Sequence, residues 1–210
     1  LDMDEGGNMQ FAVYGYMNRG RHEGEVGIQL YTYNSGQNTV EELLYIPYDR
    51  PYSVLQVQME RLLYLNREQK LYLTLDGGVY GIDLVRRTCS RQIEIAQDEG
   101  LQVSENHKIM VWSSGEDIYH SNVLNIHNLG TDVRKSITVP EGEAIRPLGF
   151  MDEDIIYGIA NGADVVEEHS GRIFFPMYAI CICNSDGELL KEYRQAGVYV
   201  TSCTVTDNQI

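Results

Sequence analysis

Hydrophobic and polar residues alternate along most of this chain in short runs broken by glycine, asparagine and aspartate. The runs recur as strand, polar turn, strand and break. Four stretches carry the pattern: GIQLYTYNSGQNTVEELLYIP (27–47), GVYGIDLVRRTCSRQIEI (78–95), NVLNIHNLGTDVRKSITVP (122–140) and PMYAICICNSDGELLKEYR (176–194). A shorter apolar run precedes each: FAVYG (11–15), KLYLTL (70–75), KIMVWS (108–113) and DIIYGIA (154–160). Ile28, Leu30 and Thr32 fall on one side of the first stretch, with Gln29, Tyr31 and Tyr33 on the other. In 123–127, Val123, Asn125 and His127 oppose Leu124 and Ile126. A period of two marks strands that are half or fully buried. Asn34-Ser35-Gly36, Asp76-Gly77-Gly78, Gly130-Thr131-Asp132 and Asn184-Ser185-Asp186-Gly187 supply the positive φ or Asx turns between them.

The hairpins start at 27, 78, 122 and 176, which are 51, 44 and 54 residues apart. A four-stranded propeller blade takes about 40–50 residues. The chain therefore resembles a β-propeller, although it has neither the GH…WD pairs of WD40 repeats nor the glycine pairs of kelch repeats. The expected fold is all-β: one domain over 1–210, with about four four-stranded antiparallel blades. They fall roughly at 9–47, 54–95, 101–140 and 145–194, with an extra strand at 198–205. The first blade is expected to lack its innermost strand. Closure by 198–205 gives a complete four-bladed ring; otherwise the chain is part of a larger one. Segment 53–65 has Leu55, Met59, Leu62 and Leu63 at helix-compatible spacing. The repeat favours a strand there, with Val54–Met59 as the inner strand of the second blade. Later inner strands are expected near 101–104, 145–150 and 198–205.

The connection between the second and third strands of a blade varies most. It is minimal at Asp76-Gly77-Gly78, long at 16–26 and longest at 161–175. In propellers it lies on one rim with the links between blades, and loops on a rigid scaffold concentrate binding function. The candidate binding rim is Asn18, Arg19, Arg21, His22 and Glu23 with Asn161, Asp164, Glu167, Glu168, His169 and Arg172. His22 with Glu168 or His169 could form an acid–base or metal pair; solvated polar loops are the alternative. His107, His120 and His127 read as structural, and the lone Trp112 as core or rim packing.

The opening segment, Leu1 to Gly15, resembles the calcium loop of FG-GAP propeller repeats, in which DxDxDGxxD runs into a strand. Asp2 and Asp4 match the first and third positions, Gly7 the turn glycine, and Asn8 a backbone ligand. Gly6 and Gln10 stand where the family has acids. The resemblance implies a site of Asp2, Asp4, Gly6, Asn8 and Gln10. With two charged ligands missing, it implies weak calcium binding or a loop that serves only as a turn. No other cofactor is expected.

Charge narrows the partners. The chain has 210 residues, with 31 acidic and 16 basic side chains and a net charge of −15. Such a surface disfavours nucleic acid and anionic membrane. Residues 141–168 carry Glu141, Glu143, Asp152, Glu153, Asp154, Asp164, Glu167 and Glu168 against Arg146 alone, a stretch that a cation or basic partner could use. Cys89, Cys181, Cys183 and Cys203 form no CxxC pair. They read as small buried hydrophobes, with a Cys183–Cys203 bridge as the lesser alternative. No run reaches the roughly 20 apolar residues of a membrane span. The chain opens on Leu1-Asp2 and stops in the start of another hairpin, which suggests an excised piece of a longer protein. GxSxG, P-loop, GxGxxG and HExxH motifs are absent. The expected function is a non-enzymatic binding domain for a protein or carbohydrate ligand, the extracytoplasmic part of an anchored bacterial protein. A propeller hydrolase or lyase acting on glycan or peptide, and an intracellular interaction scaffold, are the alternatives.

Overall fold

The computed structural model describes residues 1–94, 100–115 and 117–205. The chain is all-β, built of four four-stranded antiparallel sheets of the propeller-blade kind. It divides into two compact units, Leu1–Glu94 and Ile95–Ile210, each holding two sheets.

In the first unit, β1 (Asp2–Met3), β2 (Met9–Tyr16), β3 (Val26–Asn34) and β4 (Thr39–Pro47) form one sheet in that order. Next come α1 (Tyr52–Arg61) and a second sheet of β5 (Leu63–Leu65), β6 (Lys70–Leu75), β7 (Gly78–Asp83) and β8 (Thr88–Glu94). The apolar side of β3 is realised: Ile28 and Leu30 join the apolar core with Leu71, Leu73, Leu75 and Ile82 of the second sheet, while Gln29 on the other side is buried as well. The first sheet does have an innermost strand. It is only β1, two residues long, paired with Met9 and Gln10 of β2, too short for period-two patterning to register.

The strand expected at Val54–Met59 is instead α1, and the inner strand of the second sheet starts at Leu63. Pro51 precedes the helix, where a missing N–H does no harm. Leu55, Met59 and Leu62 are spaced four and three apart and are buried, whereas Val57 is 64% exposed. A strand would have put Val57 on the same side as Leu55 and Met59. Helical spacing therefore prevails, because it buries Leu55, Met59 and Leu62 together and leaves Val57 on the exposed side. Thr74 Oγ1 of β6 donates to Gln58 O of the helix at 2.6 Å.

In the second unit, β9 (Leu101–Val103), β10 (Ile109–Ser113), β11 (Val123–Asn128) and β12 (Val133–Thr138) form the third sheet. The fourth has β13 (Glu143–Met151), β14 (Asp154–Asn161), β17 (Met177–Cys183) and β18 (Leu189–Arg194). Between β14 and β17 lie a 3-10 turn (Gly162–Asp164) and a small hairpin of β15 (Val166–Glu167) and β16 (Ile173–Phe174). The two large sheets share a core of Ile109, Val111, Leu124, Ile126, Ile145, Ile155, Tyr157, Ala179, Cys181 and Cys183. A bulge between Pro147 and Gly149 lets β13 accommodate its proline.

Residues 198–205 do not form the expected strand. Val200 makes an isolated bridge to Met177, and Cys203 packs near Ala144, Ala160 and Phe175. Cys181 and Cys183 face the third sheet and Cys203 belongs to a different cluster. All four cysteines are free thiols, and Cys89 is exposed rather than buried. Burial raises Cys183 to about 12. His127, read from its alternation with Leu124 and Ile126 as lying on a polar face, is fully buried, and its Nε2 donates to Asp132 Oδ1 at 2.8 Å.

Candidate functional site

Three of the four sheets have two unlike ends, the second being the exception. At one end the connections are short: 4–8 and 35–38 in the first sheet, 66–69 and 84–87 in the second, 104–108 and 129–132 in the third, and 152–153 and 184–188 in the fourth. At the other end, middle strands are joined by 17–25, 76–77, 114–122 and 162–176. Antiparallel register fixes this: Tyr16 pairs Val26, Leu75 pairs Gly78, Ser113 pairs Leu124 and Ala160 pairs Met177. The predicted rim residues all belong to the loop-bearing ends. Those in 17–25 lie in the first unit and those in 161–172 in the second.

Loop 17–25 is folded back on itself. Met17 N donates to Glu25 O at 2.8 Å, and Gly24 N to Met17 O at 2.9 Å. His22 stacks on Tyr45 with centroids 3.6 Å apart, and its Nδ1 lies 3.4 Å from Glu25 Oε2. Tyr45 donates its hydroxyl to Val26 O at 3.2 Å. Burial and the neighbouring Glu25 carboxylate push that hydroxyl above the ordinary tyrosine range. Asn18, Arg19, Arg21 and Glu23 are exposed.

In the second unit, Asn161 Oδ1 accepts from Ala163 N at 3.2 Å and caps the 3-10 turn. The turn at the tip of the small hairpin is closed by Glu168 N to Arg172 O, 2.8 Å, and Gly171 N to Glu168 O, 2.9 Å. Glu167, Glu168, His169 and Arg172 all stand in solvent. At its base Phe175 is buried, with the Arg146 guanidinium 5.2 Å above its ring.

At this same end of the fourth sheet lies an open cleft of about 850 Å³. Its walls are the turn 141–143 entering β13, Asn161 and Asp164 before the hairpin, and the turn 195–199 leaving β18. Tyr178 lines it and meets the Glu143 carboxylate. Burial and that hydrogen bond raise the Tyr178 hydroxyl to about 12. The Arg194 guanidinium lies 4.5 Å from the centroid of the Tyr178 ring. Tyr199 is 56% exposed at the lip. The structure thus brings Asn161 and Asp164 of the predicted set into a cleft, and adds Glu141, Glu143, Tyr178, Arg194 and Tyr199. Glu141 and Glu143 flank a glycine, Gly142, at φ +89, and Gln195-Ala196-Gly197 is a second turn with Gly197 at φ +74. Two glycine turns at the end that also bears the longest loop were the available sequence signal.

Loop 114–122 also stands at this end of the third sheet. His120 Nδ1 lies 2.7 Å from Asp117 Oδ2. Burial works against the Asp117 charge, but the His120 hydrogen bond and the Tyr119 N–H hold its carboxyl below the usual range. A Cβ on Gly162 would come within 3.9 Å of the His120 ring, so the exposed His120–Asp117 pair adjoins the 3-10 turn. The sequence offered no strand or motif context for it.

The calcium-loop resemblance is not supported. Asp4 accepts from Asn8 N at 2.9 Å and from Asn8 Nδ2 at 2.8 Å. Those bonds hold its carboxyl below the usual range. Asn8 Oδ1 accepts from Ser35 N at 2.9 Å, the Gly6 carbonyl accepts from Ser35 Oγ, and Gln10 Nε2 donates to Gln69 Oε1. Asp4 thus bonds within the loop, Asn8 and Gly6 tie it to the β3–β4 turn, and Gln10 reaches the β5–β6 turn. Among the described residues no group of three His, Cys, Asp or Glu side chains could hold a metal ion.

No protein-family model matches the chain, and no curated protein matches it by sequence. It resembles solved β-propeller structures. BamB from Moraxella catarrhalis is 12% identical over 83% of this chain and 47% of that one, with a TM-score of 0.34. An oligogalacturonate lyase in complex with manganese is 12% identical over 88% and 53%, with a TM-score of 0.31. Porphyromonas gingivalis dipeptidyl peptidase 4 is 10% identical over 93% and 39%, with a TM-score of 0.29. The chain spans about half the length of the first two. Likeness at this level says nothing of activity or ligand. Among the described residues no helix is long and apolar enough to cross a membrane.

Proposed function

We propose that this chain is a non-enzymatic binding module whose ligand meets the loop-bearing ends of its sheets. The carrying observation is the length asymmetry between the two ends of every sheet but the second, where 17–25, 114–122 and 162–176 face turns of no more than five residues. A sheet needs only a tight turn to join antiparallel strands, so longer connections at one end alone serve something other than the fold. The alternative of a rim hydrolase or lyase is disfavoured by the exposed positions of Glu23, Asp164, Glu168 and His169. An acidic surface suits an extracytoplasmic part of a longer anchored protein. Fractionation of cells carrying a tagged parent checks that, and recovery from the cytosol would favour the interaction scaffold.

The binding reading is tested by hydrogen–deuterium exchange in the presence of whatever binds from arrays of glycans and peptides. Protection is expected in 17–25, 114–122, 141–143, 161–175 or 195–199. Protection confined to the opposite turns, such as 35–38, 129–132 and 184–188, would overturn it.

A further inference from the structure

Resting on that reading, we infer that the cleft of the fourth sheet takes a neutral oligosaccharide. The volume, about 850 Å³, lies within the range of about 300–1,000 Å³ for small-molecule sites. Its lining mixes three kinds of hydrogen-bonding group. Glu141, Glu143 and Asp164 only accept, Arg194 only donates, and the amides of Asn161 and Gln195 do both. Asn161 uses its carbonyl on Ala163 N, which leaves its NH₂ to donate. A ligand made of hydroxyls, each both donor and acceptor, can satisfy all three kinds at once. An anionic ligand would meet three carboxylates against one guanidinium. A cationic one would be drawn by the carboxylates, but Glu143 is already engaged by the Tyr178 hydroxyl, and Arg194, fixed against the Tyr178 ring at 4.5 Å, stands among the remaining two. Beside these polar groups the lip presents apolar surface, Tyr199 and Val198, 56% and 39% exposed. A half-exposed ring next to planar polar side chains suits a sugar, whose C–H face needs an apolar platform and whose edge needs hydrogen bonds. Gly142 and Gly197, both at positive φ and with open space where a Cβ would sit, keep the two walls low.

Calorimetric titration of the whole chain with cello-, xylo-, manno-, laminari-, malto- and chitohexaose, with polygalacturonate and decalysine alongside, tests this. At least one neutral hexaose is expected to bind more tightly than either charged polymer. Tyr199→Ala and Asn161→Ala should each weaken it by about tenfold, the loss of one good contact; the melting temperature should be unchanged for the exposed Tyr199→Ala and fall slightly for Asn161→Ala, which also removes the cap on Ala163 N. Binding of polygalacturonate alone, lost in the same variants, would overturn the neutral ligand, and binding of decalysine alone the sugar class, either one keeping the loop-bearing end as the ligand face. Hexaose binding that ignores both substitutions would overturn the cleft as the site. No binding across the panel would overturn the inference.

Discussion

At the scale of single residues, three polar contacts make measurable claims. Asp132 sits at φ +55 in the β11–β12 turn and accepts from fully buried His127 at 2.8 Å. Asp132→Ala removes the acceptor and puts a residue with no local hydrogen bond in a left-handed conformation. It should cost about 1–3 kcal/mol, read as a lower urea midpoint. Asp132→Asn keeps an acceptor and tolerates the same φ, so it should cost less than half as much. Equal losses would mean that the turn geometry, not the imidazole contact, matters. Tyr157 and Tyr178 make a claim about pH. Burial raises both hydroxyls, helped by Cys181 beside Tyr157 and by Glu143 beside Tyr178, the latter to about 12. A tyrosine in the unfolded chain ionises near 10. Between pH 10 and 12 the unfolded state therefore holds fewer protons than the folded one, and stability falls as pH rises, by about 1.4 kcal/mol per pH unit for each proton retained. Below pH 10 neither residue contributes a slope. Tyr157→Phe should flatten the alkaline branch of a urea-midpoint profile and leave its neutral region in place; an unchanged alkaline slope would refute the assignment.

At the scale of elements, α1 is the piece that least resembles its counterparts in the other repeats. It packs Leu55 and Met59 into the core shared by the first two sheets, both essentially without solvent contact. Leu55→Ala should destabilise by about 2–5 kcal/mol, whereas Val57→Ala on the exposed side should fall within about 0.5 kcal/mol of zero. Chemical denaturation separates the two, and similar losses would argue against a helix in this orientation. The same segment shows what the sequence could reveal. Strands bounded by Asn, Asp and Gly turns, such as β3 and β11, were legible, because turn chemistry and period two are local, although Gln29 and His127, read on the opposite side from their apolar neighbours, are buried too. The repeat itself misled at 54–59, where apolar side chains at 55, 57 and 59 fit a strand as readily as 55, 59 and 62 fit a helix. It misled again at 198–205, whose alternation in VYVTSCTV yields only the Val200 bridge to Met177. The cleft was half legible. Asn161 and Asp164 stood in a conspicuously long loop, but Tyr178 and Arg194 looked like ordinary strand residues. Only the register that sets Ala179 opposite Arg194 brings their neighbourhood to the loop-bearing end.

At the scale of the whole molecule, charge is the property that no single element carries. Thirty-one acidic side chains stand against 16 basic ones. Several of the ion pairs that form among the described residues are between exposed partners, such as Arg91–Glu94 and Lys108–Glu153, with 40% and 51% of the basic side chains exposed. Exposed pairs of this kind contribute about 0–1 kcal/mol each and weaken in salt. Repulsion among the remaining acids also weakens in salt, and it acts over the whole surface rather than across single contacts. The two effects oppose one another, and the excess of acid decides the sign. Raising ionic strength from about 0.01 to 0.15 M shortens the screening length from about 30 to 8 Å. That should stabilise the folded chain by roughly 1 kcal/mol, or about 2–4 °C in Tm for a domain of this size. Glu167 and Glu168 stand exposed in a stretch where acids outnumber bases. Glu167→Lys/Glu168→Lys should therefore reproduce part of the gain at low salt and lose its advantage at 0.15 M. A melting temperature that falls on adding sodium chloride would mean that the ion pairs outweigh the repulsion. The acidic excess would then be a property of the surface without consequence for the fold.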